Sequence, residues 1–270
     1  MSATKCKGIV DFMENIAPVY LAEDWDNVGL IIGDYERDIN HILVSLDVTT
    51  QILDYAIEKS VDMIISHHPL IFKPIKRIVY DDWKSVLISR IIKNDICLYC
   101  AHTNLDYAKN GVNWNLALAL DLNDIKNYGE TKSEGEGYSL AKVGLLKPPM
   151  KLSMFVSNIK HILGIDSVKL ISNNADKAFE RDVNKVVVFS GSFDDSVLRY
   201  IGDDIDVIIT GDVKYHTAVE IAEKGVCVID AGHFATENVI VPQLCSQLKD
   251  RFPDLSVTSK MVVNQPIKFY

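Results

Sequence analysis

Long apolar runs, a basic surplus and paired cysteines are all missing from this chain. No uninterrupted apolar stretch approaches the roughly 18 residues that a membrane-spanning helix requires, so no such span is expected. The opening MSATKCKGIVDFMENIAPVY carries Asp11 and Glu14 inside its apolar pattern and does not read as a signal peptide; the expected location is the cytoplasm. Lysine and arginine total 28 against 37 aspartates and glutamates, a formal charge of −9. A non-specific nucleic-acid binder needs basic surface for the phosphates. The balance excludes that class and leaves room for one nucleotide in a locally basic pocket. The cysteines number 5, an odd count that argues against a disulfide framework. Cys97 and Cys100 form a C-x-x-C, but on a strand residues three apart face opposite ways. Plain buried thiols are expected there.

What is present is a chain of 270 residues, 48% apolar, enough for a core and for one large or two ordinary domains. Short β-branched runs alternate with helical patterns. HILVSLDV (41–48) predicts a strand, and TTQILDYAIEKS (49–60) a helix with Thr49 or Thr50 as N-cap. VDMIIS and ICLYCA read as strands, DDWKSVLISRIIKND (81–95) and GVNWNLALAL (111–120) as helices. This order implies a parallel sheet covered on both faces. KNYGETKSEGEGYS (126–139) is polar, glycine-rich and aperiodic, and reads as a linker or surface loop. Beyond it the alternation resumes. LAKVGLL, VNKVVVFSG (183–191), IDVIITG and VCVIDAG read as strands. KLSMFVSNIKHILG (151–164), DDSVLRYIGD, VKYHTAVEIAEKG (213–225) and much of 236–250 read as helices. The expected fold class is α/β, with two similar, duplicated α/β domains and mainly parallel sheets. The first spans 1–126 and is completed by 236–270, a linker occupies 127–138, and the second spans 139–235.

The duplication goes beyond periodicity. ILVSLDVTTQILDYAIEKSVDMIISHH lines up with VVFSGSFDDSVLRYIGDDIDVIITGD, tyrosine for tyrosine at Tyr55 and Tyr200. ICLYCAHTNLD lines up with VCVIDAGHFATE after a one-residue shift, and both end in His-x-x-x-acid, His102/Asp106 and His233/Glu237. That βα units look alike explains the apolar match, but not the repeated His-x-x-x-acid.

In open parallel sheets, ligands bind beyond the carboxyl ends of the strands. Four of the 7 histidines, His67, His68, His102 and His233, fall at such ends. His41 begins a strand and His161 lies on a helix, so both are assigned structural or exposed roles. A single strand-end histidine is usually a hydrogen-bonded core residue. Four, with two carboxylates nearby, point to a metal. Imidazoles and carboxylates without thiolates suit Zn, Mn, Fe, Co or Ni. Three or four donors hold one ion, and five or six suit two ions as in two-metal hydrolases; a hydrogen-bonded cluster without an ion is the plain alternative. The doublet in MIISHHPLIF poses its own question, because neighbouring strand residues point to opposite faces. It lies where the strand ends, and Pro69 biases His68 towards extended backbone, so both rings are expected to reach past the sheet edge.

EDWDNVGL (23–30), SHHP (66–69), HTNLD (102–106), GDVKYH (211–216) and DAGHFATE (230–237) together resemble the signatures of the Ngg-interacting-factor-three-like family, also known as GTP cyclohydrolase 1 type 2 homologues. The resemblance runs from about residue 5 to the C-terminus. It implies two similar α/β domains with a dinuclear metal site between them. It implies two divalent ions per chain, with His67, His68, Asp106, His233 and Glu237 as ligands, Glu237 as the bridge, and His102 as a proton shuttle or additional ligand. It implies a homohexamer and a metal-dependent hydrolase acting on a nucleotide or other phosphorylated small molecule. A non-catalytic metal-binding, metal-delivery or scaffold protein would use the same ligands. Longer members insert a domain between the halves, where this chain has only 126–139 and its flanks.

Other positions are weighed on their own chemistry. Lys73, Lys76 and Arg77 in FKPIKR follow the histidines and suit either substrate phosphates or a solvated loop. Trp25, Asp26, Asn27 and Gly29 form a loop in which Asn27 and Gly29 suit a tight turn. Asp212, Lys214 and His216 follow the strand that matches SHH, and either support the ligands or cap the next helix.

Overall fold

Thr49 accepts a hydrogen bond from the Ile52 amide (3.3 Å) and Asp82 from the Ser85 amide (2.9 Å). Each side chain replaces a partner that a first helical turn lacks, and so sets where two helices of the first half begin. In the computed structural model, which describes residues 4–132, 138–202, 204–262 and 267, the chain forms two compact units. One is Met1–Leu105 with Val241–Tyr270, the other Asp106–Ile240. In chain order the elements are β1 (Thr4–Lys5), α1 (Cys6–Ile16), β2 (Gly29–Ile32), β3 (Asp38–Ile39), β4 (His41–Ser45), α2 (Thr50–Glu58), β5 (Met63–Ser66), α3 (Trp83–Lys93), β6 (Cys97–Cys100) and α4 (Thr103–Tyr107). There follow α5 (Val112–Ala119), β7 (Asn123–Thr131), β8 (Ser139–Lys151), α6 (Leu152–Leu163), β9 (Lys169–Ile171), α7 (Ala175–Phe179), β10 (Asp182–Ser192), β11 (Val207–Gly211), α8 (Tyr215–Glu223), β12 (Val228–Asp230) and α9 (His233–Glu237). The chain closes with α10 (Ile240–Arg251) and β13 (Ser256–Ser259).

The first unit carries a sheet of order β13-β4-β5-β6-β2, parallel except where β2 runs against β6. Leu43, Ile64 and Leu98 pack on Ile52, Leu53 and Ala56 of α2 and on Leu87, Ile88 and Ile91 of α3. Ile42, Val44, Met63 and Ile65, pointing the other way, are fully buried too. Burial on both faces is what a parallel sheet requires, and each such side chain contributes roughly 1.5–3 kcal/mol. Cys97 and Cys100 on β6 are buried free thiols, as expected.

The second sheet has the order β7-β8-β10-β11-β12-β9 and departs from the expected parallel pattern. Only β10-β11 and β11-β12 are parallel; β7-β8, β8-β10 and β9-β12 are antiparallel. Its strands still alternate between two cores. Val186, Val188, Val207 and Ile209 face Leu116, Phe155 and Ile159, whereas Val187, Phe189 and Ile208 face Val197, Leu198 and Ile221.

The unit boundaries fall at 105/106 and 240/241 rather than at 126 and 235. The stretch read as a linker begins inside β7, which pairs with β8 from Asn123↔Leu145 to Thr131↔Ser139. The polar composition of β7 hid two anchors, Ile125 and, within the stretch read as a linker, Tyr128, that pack into the two cores of the second unit. Residues 133–137 of the expected linker lie outside the described residues. The segment DDSVLRYIGD forms one 3-10 turn, Asp195–Arg199, in place of the expected helix. Val197 and Leu198 anchor this single turn in the core, and the regular structure stops at Arg199.

The repeat is visible in the architecture. In each unit three parallel strands, β4-β5-β6 or β10-β11-β12, are flanked on the third strand's side by an earlier strand running antiparallel, β2 or β9. Asp62 accepts from the Asn40 and His41 amides (2.8 and 3.0 Å), and Asp206 from the Asn184 and Lys185 amides (both 2.8 Å). One carboxylate thus fastens the start of the first parallel strand in each unit.

Candidate metal centre

β5 ends at Ser66. Beyond it the His67 amide donates to the Ser45 carbonyl (3.3 Å) and the His68 amide to the Leu46 carbonyl (2.9 Å). Successive amides of a regular strand point to opposite neighbours, just as side chains alternate. Here two in succession bond the same neighbouring chain, so alternation has stopped, and the two rings lie with centroids 5.0 Å apart. The Ser66 hydroxyl donates to the His68 carbonyl (3.0 Å) and the Cys100 thiol to the His67 carbonyl (3.1 Å), which fixes the doublet's backbone. His102, just past β6, brings its ring to 5.2 Å from His67 and 5.7 Å from His68. One ligand nitrogen from each of these three histidines lies within 4.8 Å of the others, a group that could hold a metal ion.

Each ring is held from behind at Nδ1. His67 Nδ1 meets the Ala101 carbonyl (2.9 Å), His68 Nδ1 the Asp47 carboxylate (2.8 Å), and His102 Nδ1 the Asp26 carboxylate (2.9 Å). A carbonyl or carboxylate oxygen only accepts, so each Nδ1 carries the proton and Nε2 presents its lone pair. Metal-binding histidines are commonly oriented this way. The Asp26 side chain is fully buried. Burial would raise its pKa, but hydrogen bonds from His102 and Thr103 outweigh that and bring it down to about 2. Asp26 also takes the Thr103 amide (3.0 Å) and the Thr103 hydroxyl, tying it to the start of α4.

In the second unit, His233 and Glu237 stand four residues apart on α9, Nε2 to Oε2 3.0 Å. His233 Nδ1 is likewise held from behind, by Asp212 at 2.8 Å, but its Nε2 faces the Glu237 carboxylate, so the ring lies between two acids. Asp212 sits in left-handed backbone (φ 48), which a non-glycine residue adopts at a cost. Asp230, buried at the end of β12, accepts from the Gly232 and Val213 amides (3.0 and 3.2 Å) and from Lys169 (2.9 Å). It therefore shapes both turns that carry His233 and Asp212. Glu237 is 4% exposed and packs against Gly191, where a Cβ would overlap its Oε1 in this position. The Gly191 amide also donates to Thr236 Oγ1 (3.0 Å), which seats α9 on β10. Asp106 lies on α4 and is buried.

The structure thus gathers His67, His68 and His102 into one cluster and His233 with Glu237 into another. These imidazoles and carboxylates, with a glycine cradle around Glu237, fit a divalent ion of borderline hardness. His41 is structural, bonded to Thr258 (2.9 Å) and the Lys59 carbonyl (3.2 Å), and His161 is exposed. Of the segment after β11, Asp212 holds His233, while Lys214 precedes α8 and His216 lies exposed on it. Sequence reasoning missed Asp26 and Asp47 as orienting residues, and Gly191 and Asp230 altogether. The signal for the first two was available, an acid at a strand end in SLD and one in the EDWDN loop.

Comparison with known proteins identifies the family. The profile of Duf34/NIF3 (NGG1p interacting factor 3) matches residues 4–266. A Clostridium acetobutylicum protein named GTP cyclohydrolase 1 type 2 homolog is 34% identical over 98% of both chains. The NIF3-like protein 1 of Drosophila melanogaster is 32% identical over 90% of this chain and 82% of its own. Among solved structures, a Bacillus cereus protein related to NIF3 superposes with a TM-score of 0.91 over 100% of both chains at 24% identity, a likeness of fold alone. Reduced HcgD from Methanocaldococcus jannaschii superposes with a TM-score of 0.81 over 96% of this chain and 98% of its own, at 30% identity. With a family profile spanning nearly all of its length, this chain belongs to the NIF3 (NGG1p interacting factor 3) family.

Proposed function

We propose that this protein is a dinuclear-metal-dependent hydrolase acting on a nucleotide or another phosphorylated small molecule, with His67, His68, Asp106, His233 and Glu237 as metal ligands. The observation that carries this reading is the common orientation of three clustered histidines, His67, His68 and His102, each held at Nδ1 by an oxygen so that Nε2 is the nitrogen left for a metal, beside a fourth, His233, whose Nε2 faces the candidate ligand Glu237. Structural histidines have no reason to share that arrangement, whereas metal ligands do. About two ions per chain, drawn from Zn, Mn, Fe, Co or Ni, would polarise a substrate oxygen and lower the pKa of water. The protein's own part is orientation and proton movement. Asp47 and Asp212 fix the ring planes of His68 and His233, and Gly191 leaves the space that Glu237 fills. His102 takes or gives a proton at Nε2, and the ionised Asp26 stabilises the imidazolium through Nδ1. The family resemblance adds a homohexamer as the working assembly.

GTP is the first substrate to test, because relatives carry the name GTP cyclohydrolase 1 type 2 homolog. Metal-loaded protein should release formate and a dihydroneopterin product from GTP, and Glu237→Gln should abolish both. Absence of turnover removes GTP. Rapid ion loss with transfer to apo-enzymes would replace catalysis by metal delivery.

A further inference from the structure

Trp25 and Phe72 are exposed aromatic side chains, at 58% and 39%, yet they are not loose. Their rings pack with centroids 5.5 Å apart and planes tilted at 53°, and each stands 6.3 Å from the His102 ring at a steep angle. The loops that carry them are fastened together. The Asn27 side chain donates to the Ile71 carbonyl (2.6 Å), and Asp26, between Trp25 and Asn27, is locked onto His102 and Thr103. Three successive residues thus hold an aromatic pair, open to solvent, at a fixed place beside a histidine of the metal-binding cluster. Held apolar rings exposed at such a place suit a ligand that covers them.

The charges nearby say what kind of ligand. The chain is acidic overall, but Lys73, Lys76 and Arg77 follow Phe72 directly, all exposed and, among the described residues, without an ion pair. Glu23 and Asp24 precede Trp25 on the other loop. A flat ring packed on one face of this aromatic pair would have the cationic segment 73–77 as the stretch of chain next to Phe72. We propose that Trp25 and Phe72 form the ring-binding wall of a ligand site beside His102, with Lys73, Lys76 and Arg77 receiving the anionic group of a nucleotide. This assigns the substrate-recognition role within the hydrolase reading and rests on it for the substrate class. Stacking against an aromatic ring tolerates any base, because every base has a π face. The wall should accept guanine and adenine alike and leave discrimination to other groups.

The test is calorimetric titration of the full-length, metal-loaded chain with GMP, AMP and ribose 5-phosphate, alongside metal analysis of every variant. GMP and AMP should bind more tightly than ribose 5-phosphate and quench tryptophan fluorescence. Trp25→Ala should weaken both nucleotides about tenfold or more, change ribose 5-phosphate less than about twofold, and keep its metal; Trp25→Phe should recover most of the affinity. Replacing Lys73, Lys76 and Arg77 together by alanine should weaken all three ligands alike. Equal effects of Trp25→Ala on nucleotide and sugar phosphate, loss of metal in step with affinity, or no nucleotide binding would each overturn the proposal. Binding with this pattern but without turnover of any nucleotide would remove the hydrolase reading and leave the ring wall standing.

Discussion

His102 and His233 occupy corresponding places after β6 and β12, yet the carboxylates that orient them come from different parts of their units. In the first unit the acid is Asp26, from the irregular loop before β2. In the second it is Asp212, from the end of β11, where the first unit places the His67–His68 doublet after β5. The strand ends have diverged in the same sense. The first unit has Ser45-Leu46-Asp47 after β4 and uses Asp47 to orient His68. The second has glycines, Gly191 and Gly211, whose missing side chains make room. A Cβ on Gly191 would overlap Glu237, and one on Gly211 would lie 2.6 Å from the His233 amide nitrogen. One frame used twice thus carries polar side chains at the first unit's strand ends and glycines at the second's.

That contrast is broken most severely at Gly191. Gly191→Val forces a branched side chain into left-handed backbone (φ 69) and onto Glu237. A loss of about 2–4 kcal/mol of stability is expected, with metal affinity falling more than about tenfold. Leu46→Val, the counterpart in the first unit, should cost no more than about 1.5 kcal/mol and keep the metal. Thermal unfolding and metal titration of the two variants decide the matter. Next come the orienting acids. Asp47→Ala and Asp212→Ala should each lower metal affinity about 10–100-fold, whereas Asp26→Ala, which releases His102, should lower turnover more than metal affinity. Asp212→Gly separates backbone from carboxylate, because it relieves the φ of 48 and still loses the contact to His233. It should unfold no earlier than the native chain while binding metal as weakly as Asp212→Ala.

The duplicated anchors should behave as a pair. Asp62→Ala and Asp206→Ala each orphan two amides, and each should cost about 1–2 kcal/mol in denaturant unfolding. A large difference between them would deny their equivalence. The smallest effect concerns a feature of the second unit only. Lys142 is fully buried on β8, its ammonium donating to Asn127 (2.9 Å) and to the Ser139 carbonyl, and burial pushes its pKa down to about 8. An unfolded lysine titrates near 10.4. Between those values the unfolded chain binds more protons, so stability rises with pH. Native protein should gain about 1 kcal/mol relative to Lys142→Met between about pH 8 and pH 9.

The histidine doublet, the two His-x-x-x-acid pairs and the duplicated frame were legible because each sits at the end of a strongly apolar run, where polar residues stand out. The orienting acids were harder to see. Asp26 meets His102 from 76 positions away, and nothing local in EDWDN names its partner. Gly191 was hidden for a different reason, since a glycine signals space but not what fills it. The second sheet's antiparallel strands escaped because β7 is polar and glycine-bearing, and its pairing with β8 depends on Ile125 and Tyr128 finding cores that only the tertiary fold provides. DDSVLRYIGD carries a helical pattern too short to outlast one turn.

The central claim is that the histidines of both units and Glu237 serve metal. It is tested most directly by elemental analysis of the full chain purified without chelators, beside His67→Ala and Glu237→Gln. The account predicts about two divalent ions per native chain and a clear loss in each variant. Native protein with no bound metal, or variants that retain the full complement, would contradict it.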